Sequence, residues 1–96
     1  MKKISIVTAC YNEEENVEAL YREVKRVFQE NLQDYEYEHI FIDNASHDAT
    51  VSILKKIANV DKNVKIIVNS RNFGHIRSPF YGLLQASGDA VISIVA

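Results

Sequence analysis

The stretch His39-Ile40-Phe41-Ile42-Asp43-Asn44-Ala45-Ser46-His47-Asp48-Ala49-Thr50 passes from a strand to a polar loop to a helix within a dozen residues. Ile40, Phe41 and Ile42 are β-branched or aromatic and unbroken by polar residues, which predicts a strand covered on both faces. Asp43 then falls at the carboxyl end of that strand, the edge where open α/β sheets bind ligands. Ser46 and Asp48 are both suited to cap a helix beginning near Thr50 by accepting from its unpaired backbone N–H groups. An ionised Asp43 can only accept hydrogen bonds, so it suits the N–H and O–H groups of a small ligand.

Working outward, Ile4, Ile6 and Val7, continuing to Ala9, predict a first strand inside the same sheet. Tyr11-Asn12-Glu13-Glu14-Glu15-Asn16 follows its carboxyl end. Val17, Leu20, Tyr21, Val24, Val27 and Phe28 form the stripe of a helix lying on a sheet. Asn12 is expected as its N-cap, with Glu15 three residues on in a variant capping box. Asn31 to Glu38 is polar and aromatic and predicts a surface connection. Val51, Leu54, Ile57 and Ala58 mark a second helix, closed by Asp61-Lys62-Asn63. Val64 to Val68 predicts a third strand and Ser70 to Gly74 a loop at its end. A third helix is expected to run to about Ser87, with Pro79 near its first turn and Gly88 as the left-handed residue that ends it. Val91 to Val95 predicts a fourth strand.

The order β-α-β-α-β-α-β implies parallel strands, right-handed crossovers and helices on both faces of the sheet, a Rossmann-like three-layer α/β/α arrangement. Residues 1–96 form one domain or part of one, because 96 residues hold a single modest core. An apolar strand at the very end of the chain is expected where a longer protein has been cut. The alternative is a complete small domain whose last strand offers an apolar, unpaired edge to a second copy.

The hydrophobic share of 47% and charged share of 25% are those of an ordinary folded protein. A net charge of -2 gives no basic excess for phosphates, which excludes nucleic acid and disfavours an anionic membrane as partners. Cys10 is the single cysteine, so no intrachain disulfide or thiolate metal cluster can form. No segment approaches the roughly 20 apolar residues that span a bilayer. Nor does the start read as a signal peptide.

The chemistry is expected where three loops meet at the carboxyl edge: Ala9 to Glu13, Asp43 to Ser46, and Ser70 to Gly74. Neither a dinucleotide-binding Gly-x-Gly-x-x-Gly nor a phosphate-binding Gly-x-x-x-x-Gly-Lys is present. Ser46, His47 and Asp48 are adjacent in sequence and so cannot adopt triad geometry. His39, His47 and His75 lack metal-ligand spacing and are expected in surface roles. Cys10 reads as a packing residue at a strand end.

Ile4-Ser5-Ile6-Val7-Thr8-Ala9-Cys10-Tyr11-Asn12-Glu13-Glu14-Glu15-Asn16-Val17, Phe41-Ile42-Asp43-Asn44-Ala45-Ser46-His47-Asp48-Ala49-Thr50 and Ser70-Arg71-Asn72-Phe73-Gly74-His75 follow one another at a spacing that resembles the opening half of a family 2 inverting glycosyltransferase of GT-A fold. The nearest branch is that of the dolichol-phosphate mannose synthases and the bacterial undecaprenyl-phosphate glucosyltransferases. The resemblance implies the nucleotide-sugar-binding half of a GT-A fold, truncated after its fourth strand. Position by position, it implies that Ala9, Tyr11 and Glu13 cup the base and ribose of a nucleotide-diphosphate sugar. Phe41 and Asp43 match the strand end that meets the nucleoside, and Arg71, Asn72 and Gly74 match a motif near the donor. Two departures stand out: Asn44-Ala45 replaces the family's acidic residue and glycine, and Ala9 replaces its proline.

The resemblance also implies a divalent cation, Mg or Mn, held in the full-length parent by an acidic pair after the fourth strand. No catalytic or metal-binding residue is expected in this chain, so the fragment is expected to be inactive. The implied setting is cytoplasmic, with the parent attached to the cytoplasmic membrane face by segments this chain lacks. Two rivals remain from the residues themselves: a non-catalytic α/β module that pairs through its last strand as a homo-oligomer, and another nucleotide-using α/β enzyme such as a nucleotidyltransferase.

Overall fold

A computed structural model describes residues 2–69 and 87–95. The elements are β1 (Lys3–Cys10), α1 (Val17–Asn31), β2 (Glu36–Asp43), α2 (Thr50–Val60), β3 (Val64–Val68) and β4 (Ala90–Val95). They form one parallel sheet in the order β3-β2-β1-β4. The apolar runs of β1 and β2 thus occupy its two central positions, as both-face coverage requires. The expected third helix with Pro79, the Arg71-Asn72-Gly74 motif and His75 lie outside the described residues.

Alternation along the strands divides the core in two. On one face Cys10 and Phe41 pack with Val17 of α1 and Leu54 and Ile57 of α2, and Ile6 packs with Val24 and Phe28. Both described helices therefore lie on this face. On the other, Val7, Ile40 and Ile42 form a separate cluster with Ile67. The helices are tied to each other by Asp61 at the end of α2. Its Oδ2 accepts from the Tyr21 hydroxyl of α1 at 2.6 Å, and its Oδ1 from the Asn63 N–H at 2.9 Å.

Four expectations are corrected. The Asn31 to Glu38 segment is a surface connection only as far as Tyr35, because β2 begins at Glu36 and Glu38 is only 2% exposed. The Glu38 carboxylate accepts from Ser5 Oγ at 2.5 Å, Lys65 Nζ at 2.6 Å and the Ser87 N–H at 2.7 Å. Burial pushes this carboxyl up, but those bonds from Lys65, Ser5 and Ser87 together outweigh it and hold the group down at about 2. His39 is not a surface residue either. It is fully buried, with Nε2 2.8 Å from Thr8 Oγ1, its ring stacked on Phe41 and Nδ1 without a protein partner. Burial pushes its imidazole down to about 4, with nearby Asp61 opposing, so it is neutral at pH 7.

Asn12 does not cap α1, since the N-cap position is Asn16 and makes no side-chain cap bond. Asn12 instead adopts φ 51° and its side chain turns to the neighbouring loop. Gly88 is not needed for a left-handed backbone. A Cβ there would lie 2.6 Å from Ser5 Oγ and 2.8 Å from Ser5 N, so glycine permits the close approach of β4's entry to β1.

Candidate functional site at the carboxyl edge of the sheet

Parallel pairing in register brings Cys10 beside Asp43, so the loops after β1 and β2 leave the sheet side by side. The backbone ladder continues past the strand ends. The Asn44 N–H donates to the Cys10 carbonyl and the Asn69 N–H to the Asp43 carbonyl, each at 2.8 Å. The carboxyl ends of β1, β2 and β3 are thereby joined at one rim.

The two loops are then stitched by side chains. The Asn12 N–H donates to Ser46 Oγ at 2.9 Å, and the His47 N–H donates back to Asn12 Oδ1 at 2.8 Å. The Glu13 N–H donates to Thr50 Oγ1 at 2.9 Å and the Glu14 N–H to Asp48 Oδ2 at 3.3 Å. Loop backbone that would otherwise need water is satisfied by the neighbouring loop, which fixes the two as a unit. Asn12 at φ 51° and Ala45 at φ 61° supply the left-handed turns.

Asp43 organises this unit from below. It is fully buried, its Oδ2 accepts from the Ser46 N–H at 2.9 Å, and its Oδ1 from the Ser46 hydroxyl at 2.5 Å. Ser46 is therefore a link between Asp43 and Asn12 rather than the expected cap of α2. Asp48 does part of what was expected of it, accepting the Thr50 N–H at 2.9 Å, while Ala49 occupies the N-cap position without a side-chain bond. Desolvation raises the Asp48 carboxyl, but hydrogen bonds from Thr50 and the Glu14 N–H hold it below its ordinary value. Asn44 Oδ1 accepts from Asn69 Nδ2 at 2.9 Å, tying the β2 loop to the end of β3.

The rim so built brings together Ala9, Tyr11 and Glu13, while Asp43, expected to grip a ligand, lies beneath them fully buried with both carboxylate oxygens taken by Ser46. Tyr11 is 41% exposed and its ring meets that of exposed His47. Glu13 is half-buried and its Oε2 accepts from Asn16 Nδ2 at 2.9 Å. Phe41 is set apart: it is wholly buried between the strands and helices and offers a ligand no surface. Arg71, Asn72 and Gly74 lie outside the described residues. Asn12, Ser46 and Thr50 are the residues that sequence reasoning missed as builders of the rim. Their signal is only visible once register places the two loops together.

Nucleophilic chemistry by Cys10 is excluded. Burial pushes its thiol up to about 12, with the charges of Asp43 and Glu13 adding to the effect, so the reactive thiolate is not populated. Among the described residues no three His, Cys, Asp or Glu side chains converge on a point a metal ion could occupy. They therefore do not fit a divalent centre. Nor is any helix among them long and apolar enough to cross a membrane.

Known proteins resemble the chain in sequence and in fold. The bactoprenol glucosyl transferase of Shigella phage SfV is 48% identical over 92 residues, covering 96% of this chain and 29% of that protein. The undecaprenyl-phosphate 4-deoxy-4-formamido-L-arabinose transferase of Proteus mirabilis is 37% identical over 98 residues, again covering 29% of its own length. The chain thus spans under a third of these relatives. Among solved structures, S. aureus TarS 1-349 in complex with UDP superposes with a TM-score of 0.81 at 26% identity, over 97% of this chain and 27% of that one. The mannosyltransferase PcManGT from Pyrobaculum calidifontis, in complex with GDP-Man and Mn2+, shares the fold with a TM-score of 0.76 at 19% identity, over 94% and 26%. The model of the family described as glycosyl transferase family 2 matches residues 5–95. With its parallel sheet of GT-A type and a match over nearly its whole length, the chain belongs to glycosyl transferase family 2.

Proposed function

We propose that the rim formed by Tyr11, Glu13 and the Asp43–Ser46 loop is the nucleoside side of a donor site, in a protein that transfers a sugar from a nucleotide-diphosphate sugar to an acceptor with inversion. The observation that carries this reading is the stitching of the β1 and β2 loops, which presents the Tyr11 ring beside a fixed polar backbone. Tyr11 stacks on the base. The Glu13 carboxylate accepts from ribose hydroxyls. Ala9, small and at the strand end, leaves room for the ligand. Asp43 holds Ser46 and hence the loop, and Phe41 anchors β2 from within the core. Arg71, Asn72 and Gly74 belong to the same donor site in this reading.

A polyprenyl phosphate acceptor, at the cytoplasmic face of a membrane, is proposed from the names of the relatives alone. The divalent cation is likewise assigned to the parent protein, with PcManGT and its Mn2+ as support. No ligand to it is assigned among the described residues.

Calorimetric titration of the chain with UDP and with GDP tests the donor site. Tyr11→Ala is expected to weaken binding about tenfold, the scale of one lost base stack. Lys62→Ala, in the cavity of about 500 Å³ at the opposite edge of the sheet, is expected to leave it unchanged. Equal losses in both variants would contradict the assignment.

A second reading rests on β4, where Val91 is 39% and Ile92 47% exposed. Such an edge suits self-association. Sedimentation showing a concentration-independent monomer would remove it.

A further inference from the structure

Tyr11 and His47 come from different loops, yet their rings meet edge to face, with centroids 6.5 Å apart and planes at 80°. This arrangement is the one favoured by opposed ring quadrupoles. The backbone beneath them is pinned reciprocally: the His47 N–H donates to Asn12 Oδ1 at 2.8 Å, and the Asn12 N–H to Ser46 Oγ at 2.9 Å. Each ring thus stands next to a residue that the other loop holds. With 41% of Tyr11 exposed, the sheet alone does not fix its ring. An exposed aromatic side chain that is already oriented loses less rotational freedom when a ligand stacks on it.

We propose that His47 is a positioning residue for nucleotide binding: its ring sets the orientation of Tyr11 so that the base meets a preorganised stacking face. This inference rests on the donor-site reading above. It assigns to His47 a role that motif reading does not, since the residue lies outside every motif position matched to a ligand.

The test is a double-mutant cycle on the 96-residue chain, with UDP and GDP as probes and binding read by titration. His47→Ala is expected to weaken binding about threefold to tenfold, the scale of one aromatic pair. In the Tyr11→Ala background the same change is expected to have no further effect. His47→Phe, which keeps a ring edge without the imidazole nitrogens, is expected to restore binding. A merely structural role would lower the unfolding midpoint and weaken binding in both backgrounds, and that result overturns the proposal. So does an unchanged affinity in His47→Ala, or failure of His47→Phe to restore it. If neither nucleotide binds the parent chain, or Tyr11→Ala changes nothing, the donor-site reading itself has failed. If Tyr11→Ala weakens binding and His47→Ala does not, only the role of His47 has failed.

Discussion

The two edges of the sheet satisfy their polar groups in opposite ways. At the amino edge one buried carboxylate, Glu38, gathers Ser5, Lys65, Lys3 and Ser87 around itself, so that charge and hydrogen bonds close inward. At the carboxyl edge the acceptors are spent on backbone N–H groups of the facing loop, and the aromatic rings of Tyr11 and His47 are left outside. A network centred on a single buried charge serves to lock strands in register. A network of side chains gripping loop backbone serves to hold a surface in shape without covering it. The parallel sheet makes this division possible, because it sends every strand's loop to the same edge.

Acidification is expected to have the largest effect, through the buried His39 and the carboxylate at the amino edge. His39 has its imidazole pushed from 6.5 down to about 4 by burial. Between those values the unfolded chain binds a proton that the folded chain refuses. Stability is therefore fully present above pH 6.5 and falls as pH drops toward 4, by on the order of 3 kcal/mol. Glu38, held near 2, adds a loss that begins below its ordinary 4.5. Urea midpoints measured from pH 7 to pH 4 check this. His39→Gln should flatten the profile above pH 4.5, and an unchanged slope in that variant would count against the assignment.

Smaller effects sharpen the contrast. Glu38→Gln removes the centre of the amino-edge network and is expected to destabilise the fold by about 2 kcal/mol, as seen in a chemical melt, with nucleotide affinity unchanged. Ser46→Ala removes the link between Asp43 and the Asn12 N–H. It is expected to lower stability by about 1 kcal/mol but to weaken nucleotide binding more than Glu38→Gln does. The smallest effect is a gain. Ala45 stands at φ 61°, where a Cβ is strained, so Ala45→Gly should raise stability by about 0.5 to 1 kcal/mol in the same melt.

The strands and helices were legible because apolar spacing reports them directly, as at Ile40, Phe41 and Ile42 or along Val17, Val24 and Phe28. The burial of Glu38 and His39 was not. Both look like surface residues in their own segment, and only register supplies Ser5, Thr8 and Lys65 as partners. Asn12 illustrates the same limit from the other side. Its capping pattern is present in the sequence, but α1 begins later, after Asn16, and the Asn12 side chain accepts from the His47 N–H instead. The placement of Tyr11 and Asp43 at one edge was readable, since they lie at the ends of strands that a parallel sheet must end together. That Asp43 would be buried and bonded to Ser46 was not, because it depends on the left-handed turn at Ala45.

Amide chemical-shift mapping of the chain during titration with UDP and GDP tests most directly whether the carboxyl edge receives the nucleotide. The account expects shifts grouped at Tyr11 to Glu13 and Asp43 to His47, with Glu36 to Glu38 and Lys62 to Lys65 undisturbed. Shifts confined to the amino edge, or none at millimolar nucleotide, would contradict it.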